Sequence, residues 1–167
     1  MNILIIFVLV MKILLLTVGK TDISWVREGL ETYSSRLSHY APFSICEIPE
    51  LKNTSALTKA QIKEKEGELI LKNIKPSDRV VLLDERGKEY RSVELAEEIR
   101  RMTIGGGKDI VFIIGGAYGF SEAVYGRCDG KISLSRMTFS HQMVRVIFTE
   151  QLYRAFTIIK GEPYHHE

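Results

Sequence analysis

Apolar runs and helical patterns alternate along this chain. Ile13–Val18 is apolar apart from Thr17 and reads as a strand. Trp25, Val26, Leu30, Tyr33 and Leu37 recur at helical spacing and predict an amphipathic helix over 23–38. Phe43–Ile48, after Pro42, predicts a second strand, and a lysine- and glutamate-rich helix follows over 58–73, stopped before Pro76. Arg79–Asp84, "RVVLLD", predicts a third strand, and Ser92–Met102 a third helix with Ser92 as its cap. "GGGK" breaks the chain before "DIVFIIGG", whose unbroken apolar run marks a strand buried on both faces. A short helix near 121–127, a strand "KISLS" and a long helix over 141–159 complete the pattern. Strands alternating with helices, with no repeat or low-complexity linker, predict an α/β domain whose mostly parallel sheet is covered on both faces.

The amino end changes that picture only at its edge. "MNILIIFVLVMKILLLTVG" is apolar except for Asn2 and Lys12. It lacks the basic start and small-residue cleavage site of a signal peptide. A membrane span of about 20 residues would hold Lys12 near its middle. The preferred reading takes Met11 as the natural start, residues 1–10 as an upstream extension and 11–167 as a single domain, with no membrane expected.

Length and composition agree with one globular domain. The chain has 167 residues, 45% hydrophobic and 26% charged, which suffices for an ordinary core and excludes a disordered chain. A net charge of +2 allows an anionic partner without demanding one. Cys46 and Cys128 lie far apart with no CxxC spacing. They read as free thiols of a reducing compartment, so a cytoplasmic location is expected.

In open parallel sheets, ligands bind beyond the carboxyl ends of the strands. Three such loops stand out: "ERGKEYR" after "VVLLD", "GGAYGF" after "VFII", and "SRMTFSH" after "KISL". The spacing of Gly115, Gly116 and Gly119 is not that of a dinucleotide fingerprint, and the chain has no Walker-type phosphate loop. Two readings of "GGAYGF" stand open: a tight turn needing positive φ, or a glycine-lined surface that lets a small ligand approach the backbone. Around "SLSRMTFSH", Ser140 could simply cap the next helix. Equally, the loop's hydroxyls and backbone groups beside Met137 and Phe139 suit an adenine and a thioether or sulfonium.

The last helix carries an apolar stripe of Val144, Ile147, Phe148, Leu152, Phe156 and Ile159. Arg145 and Arg154, nine positions apart, point to opposite sides of it, so both cannot be casual solvent charges. Arg154 has three readings: a pair with Glu150 one turn earlier, an anion site, or a subunit contact. The chain then ends in "GEPYHHE". Adjacent imidazoles are poorly placed to chelate one ion and no Cys/His/Asp cluster accompanies them, so no metal is expected.

Taken together, "IIGGAYGF" and "SLSRMTFSHQMVRVIFTEQLYRAFTIIKGEPYHHE" resemble the RlmH (YbeA) family of SPOUT methyltransferases. The resemblance runs from Met11 to the carboxyl end and takes in "VGK", "EIP" at Glu47–Pro49, "KEGE" at Lys65–Glu68 and "LDERGK" at Leu83–Lys88. It implies a homodimeric α/β SPOUT domain with a C-terminal trefoil knot, which general chain topology would not have suggested. It implies transfer of a methyl group from S-adenosylmethionine to N3 of a pseudouridine in large-subunit ribosomal RNA, on assembled ribosomes. Cofactor contacts would come from Leu83, Gly115, Gly116 and the run Leu134, Ser135, Arg136, Met137, Thr138 and Phe139. Tyr164, His165 and Arg154 would form the catalytic group. Three departures are visible. Ala117 and Tyr118 fill a loop that often reads "GGPEG" or "GGSNG", so no acidic role is assigned there. Ser140 stands where a proline commonly precedes the family histidine, and residues 1–10 have no counterpart.

The implied reaction makes chemical demands. A pseudouridine N3 is a poor nucleophile until its proton leaves, and imidazole is the side chain that exchanges a proton near neutral pH. His165 is therefore the candidate base. Tyr164 is placed to stack on or orient the target, and Arg86, Lys88, Arg91 and Arg154 are available for phosphates or developing negative charge. Two rivals remain: a non-catalytic ribosome-binding factor, which would not bind S-adenosylmethionine, and a nucleotide-dependent oxidoreductase, which the glycine spacing does not support.

Overall fold

The computed structural model describes residues 11–104 and 107–166. The extension inferred for residues 1–10 lies outside the described residues. Five strands alternate with five helices in the order β1 (Ile13–Val18), α1 (Ser24–Leu37), β2 (Phe43–Ile48), α2 (Lys59–Lys72), β3 (Arg79–Glu89), α3 (Ser92–Ile104), β4 (Ile110–Ile114), α4 (Glu122–Arg127), β5 (Gly130–Ser133) and α5 (Met143–Ile159). The strands form one sheet of order β2-β1-β4-β3-β5, every pair parallel. The expected α/β class and parallel sheet are what the chain folds into.

Alternation along β4 explains the two covered faces. Ile110, Phe112 and Ile114 point to one side, where Leu37 of α1, Ile99 of α3 and Phe148 and Leu152 of α5 close the core. Val111 and Ile113 point to the other side, against Ile70 of α2 and Val124 of α4. A strand buried on both faces needs an unbroken apolar run, and β4 has one. At α2, Thr58 accepts the Gln61 N–H and the Gln61 side chain accepts the Thr58 N–H, a reciprocal capping box that fixes the helix start.

Three local expectations need correction. β3 does not stop at Asp84 but continues to Glu89, with an irregularity between Leu83 and Lys88 where it pairs again with β5. Gly87 permits this: a Cβ there would lie 2.6 Å from the Ile132 backbone nitrogen and 2.7 Å from that of Ser133. Ser92 is the first helical residue of α3 rather than its cap, and Glu94 instead closes the turn by accepting the Arg91 N–H at 2.8 Å. Trp25, counted with the apolar stripe of α1, is 54% exposed, while Val26, Leu30 and Leu37 carry the buried face.

Candidate active site

The sheet order places β4, β3 and β5 side by side, so the three loops at their carboxyl ends become neighbours. They enclose a cavity of about 530 Å³, within the size range of small-ligand sites. Leu83, Gly115, Gly116, Leu134, Ser135, Thr138 and Phe139 all line it. Arg136 and Met137 do not: Arg136 turns outward to Glu89 at 3.0 Å, and Met137 is 76% exposed. The loop bends there because Ser135 Oγ accepts the Met137 N–H at 3.0 Å, which turns the next two side chains away from the cavity.

"GGAYGF" forms the tight turn. Gly119 has φ +80° and donates its N–H to the Gly116 carbonyl at 3.2 Å, closing a tight turn. That same turn lines the cavity. Ser140 likewise serves the start of the last helix, accepting the Met143 N–H at 3.1 Å.

The walls combine two chemistries. Leu83, Ile114, Leu134, Phe139 and Val144 supply apolar surface, and Asp84, Glu85 and Glu122 supply carboxylates beside the cations of Lys63 and Arg86. Tyr125 donates its hydroxyl to Asp84 Oδ2, and burial, reinforced by that hydrogen bond, pushes the phenol up to about 12. Tyr125 thus stays protonated at neutral pH and holds Asp84 as an oriented acceptor. Among the described residues, no three Cys, His, Asp or Glu side chains are grouped to hold a metal ion.

Sequence reasoning missed Glu66. It stands on α2 directly behind Gly116, whose missing Cβ would run into its carboxylate. Glu66 Oε2 is buried without a hydrogen-bond partner. Burial, then the nearby Glu50 carboxylate, raises its pKa. The unfolded chain therefore ionises at lower pH than the folded one, so the folded state is penalised once pH passes the ordinary carboxylate range. The penalty is full above the folded-state value and absent in more acidic solution. Glu66→Gln is expected to raise Tm by a few degrees at pH 7 and by little at pH 4, measured by scanning calorimetry. An equal shift at both pH values would contradict this account.

Tyr164, His165 and Arg154 form a second group away from the cavity. The end of α5 is capped by Gly161 at φ +68°, and the Glu162 N–H reaches the Thr157 carbonyl at 2.9 Å, turning the tail back along the helix. Glu150 Oε1 accepts both Arg154 Nη2 at 2.5 Å and the Tyr164 hydroxyl at 3.0 Å. Arg154 Nη1 lies 3.2 Å from His165 Nδ1, and its guanidinium sits 4.8 Å from the Tyr164 ring centroid. Burial, with hydrogen bonds to Tyr33 and Glu150, raises the Tyr164 pKa and keeps the phenol a donor. The tail is packed, not frayed. The structure brings the three together with each other but not with the cavity. From Val144 at the cavity to Arg154 is ten residues of α5, about 15 Å at 1.5 Å per residue.

The chain is an α/β fold with a parallel sheet and a cavity at the carboxyl edge, where such folds bind ligands. The sequence model of the family described as "Predicted SPOUT methyltransferase" matches residues 11–165, and the chain belongs to that family. Its relatives narrow the class. It is 54% identical over 157 residues to the "Ribosomal RNA large subunit methyltransferase H" of Parabacteroides distasonis, covering 94% of this chain and 100% of the relative. The protein of the same name from Christiangramia forsetii is 56% identical over 156 residues, covering 93% of this chain and 99% of the relative. Among solved structures, a probable methyltransferase from Bordetella pertussis Tohama I aligns with TM-score 0.55 over 89% of this chain and 95% of its own. At 10% identity that likeness concerns the fold alone.

Proposed function

We propose that this chain is a large-subunit ribosomal RNA methyltransferase that moves a methyl group from S-adenosylmethionine to N3 of a pseudouridine, acting on assembled ribosomes in the cytoplasm. The observation that carries the reading is the cavity, where apolar walls meet three carboxylates at the carboxyl edge of the sheet. Apolar surface at Leu83, Leu134 and Phe139 suits an adenine, and the carboxylates suit a cationic amino-acid sulfonium. The name shared by the relatives agrees with this substrate class.

When bound, S-adenosylmethionine supplies an already activated methyl group. The chain's own work is then to expose the target base, orient N3 and remove its proton. An imidazole would take the N3 proton, leaving N3 free to accept the methyl group that the bound cofactor would supply. His165 is the base in this scheme. Its Nδ1 faces Arg154 in the single chain, so a proton gained there would meet a guanidinium. The tail must leave that contact to act. The distance between tail and cavity supports a homodimer in which the tail of one copy serves the cavity of the other. The trefoil knot is inferred from the family alone, and the family match beginning at Met11 supports residues 11–167 as the domain.

The direct test is methyl transfer from labelled cofactor to ribosomes lacking the modification, with mass mapping of the product. No transfer by protein that also fails to bind S-adenosylmethionine would return the ribosome-binding-factor reading. A second test concerns the glycine turn. Valine at Gly116 would push on Glu66 and displace the turn from behind. Gly116→Val is expected to remain folded and to bind S-adenosylmethionine at least about tenfold more weakly by calorimetry, a loss of about 1.4 kcal/mol. Unchanged affinity would place the cofactor elsewhere.

A further inference from the structure

One face of α2 runs along the glycine turn and carries two lysines onto the cavity rim. Glu66 abuts Gly116, and Gly67 leaves room for Ser121, which caps α4 by accepting the Val124 N–H. One and two turns earlier on the same face, Lys63 lines the cavity and Lys59 Nζ sits 5.6 Å from the Tyr118 ring centroid. Tyr118 occupies the tip of the turn at the lip of the cavity and is 43% exposed. Among the described residues neither lysine is drawn into a salt bridge.

A single exposed aromatic needs no explanation. Here it stands on a turn held at three points: the Gly119–Gly116 hydrogen bond, the Glu66 contact and the capped start of α4. A ring fixed in this way loses little freedom when a flat group stacks on it. Two ammonium groups beside it would meet the phosphates on either side of such a group, the pairing of aromatic and cation used for single-stranded nucleic acid.

We propose that Tyr118, Lys59 and Lys63 form a docking step for the RNA strand beside the reaction cavity. The Tyr118 ring stacks a nucleobase neighbouring the target, and the two lysines contact the flanking phosphates. Tyr118 is a specificity residue here, separate from the groups that handle the proton. This rests on the reading that ribosomal RNA is the substrate and that the cavity holds the methyl donor.

The experiment compares full-length wild type, Tyr118→Ala, Tyr118→Phe and Lys59→Ala/Lys63→Ala. Each is measured for S-adenosylmethionine affinity by calorimetry and for KM toward large ribosomal subunits lacking the modification, over a range of salt. Tyr118→Ala is expected to raise the ribosomal KM about tenfold and leave cofactor affinity within about twofold, while Tyr118→Phe keeps the wild-type KM. The lysine double variant should raise KM and flatten its salt dependence. Weaker cofactor binding by Tyr118→Ala with unchanged ribosomal KM would assign the ring to the adenine instead. Unchanged values in both assays would make it an ordinary surface aromatic. A Phe variant as impaired as Ala would overturn stacking in favour of a phenol hydrogen bond. Failure of the wild type to bind S-adenosylmethionine would overturn the underlying reading, a result separable from all of these.

Discussion

Arg145→Met is expected to destabilise the protein by about 3–5 kcal/mol, because it leaves several buried acceptors unpaired at about 1–3 kcal/mol each. Arg145 is 1% exposed, on the buried face of α5. Its guanidinium donates to the Val18 carbonyl at 2.9 Å, the Gly19 carbonyl at 3.0 Å, Thr21 Oγ1 at 2.8 Å and the His141 carbonyl at 3.1 Å. Burial lowers its pKa, and Glu47, Asp22 and Glu50 oppose that shift, so the charge is retained. Methionine fills similar volume but strands four acceptors, each costing about 1–3 kcal/mol where water cannot reach. Arg145→Lys keeps the charge and loses the fork, so an intermediate loss is expected. The measurement is urea unfolding, with a lowered midpoint at unchanged slope. As a contrast, Arg136→Met breaks only an exposed pair with Glu89 and should shift stability by about 0–1 kcal/mol. A loss below that upper figure for Arg145→Met would contradict the account. The network also ties the end of β1 to the loop before α5, so the same change should loosen the cavity wall.

How much of this was legible in the chain follows from which signals are local. β1 and β4 were plain because a strand covered on both faces must be apolar throughout. The tail of β3 was not: Glu85–Glu89 is polar, and its pairing depends on a backbone approach at Gly87 that β5 alone creates. The three loops could be chosen because ligands gather at the carboxyl ends of parallel strands. That they touch depends on the order β4-β3-β5, which pairs segments distant in sequence. Helical angle separated Arg145 from Arg154 correctly, yet nothing local said which would be buried. Burial is decided by the Val18 and Gly19 carbonyls, more than a hundred residues earlier. Glu66 lies within "KEGE", but its contact with Gly116 crosses from α2 to the cavity loop and leaves no periodic trace. At Arg136 and Met137 a serine turn directs the side chains outward, a detail that a contiguous run of loop residues does not reveal.

The tail supplies the largest expected effect on activity. His165 is half-buried against Arg154, while His166 is exposed. His165→Ala should keep the wild-type oligomeric state and cofactor affinity but slow methylation by at least about a hundredfold, within the ~10²–10⁴ range of a general base. His166→Ala should do much less. Near-wild-type turnover for both on intact ribosomes would remove His165 from the chemistry. Mixing variants tells which copy supplies the base. A dimer of one His165→Ala chain and one Gly116→Val chain contains, if tails act across the dimer, one site with an intact cavity and an intact tail. If each tail served its own chain, both sites would carry one defect. The packing of the tail on Glu150 and Arg154, outside its own cavity, favours the first arrangement, so co-refolded mixtures should recover activity that neither variant has alone. Mixtures no more active than the parents would mean that the tail swings back to its own cavity, abandoning Glu150 and Arg154 in every turnover.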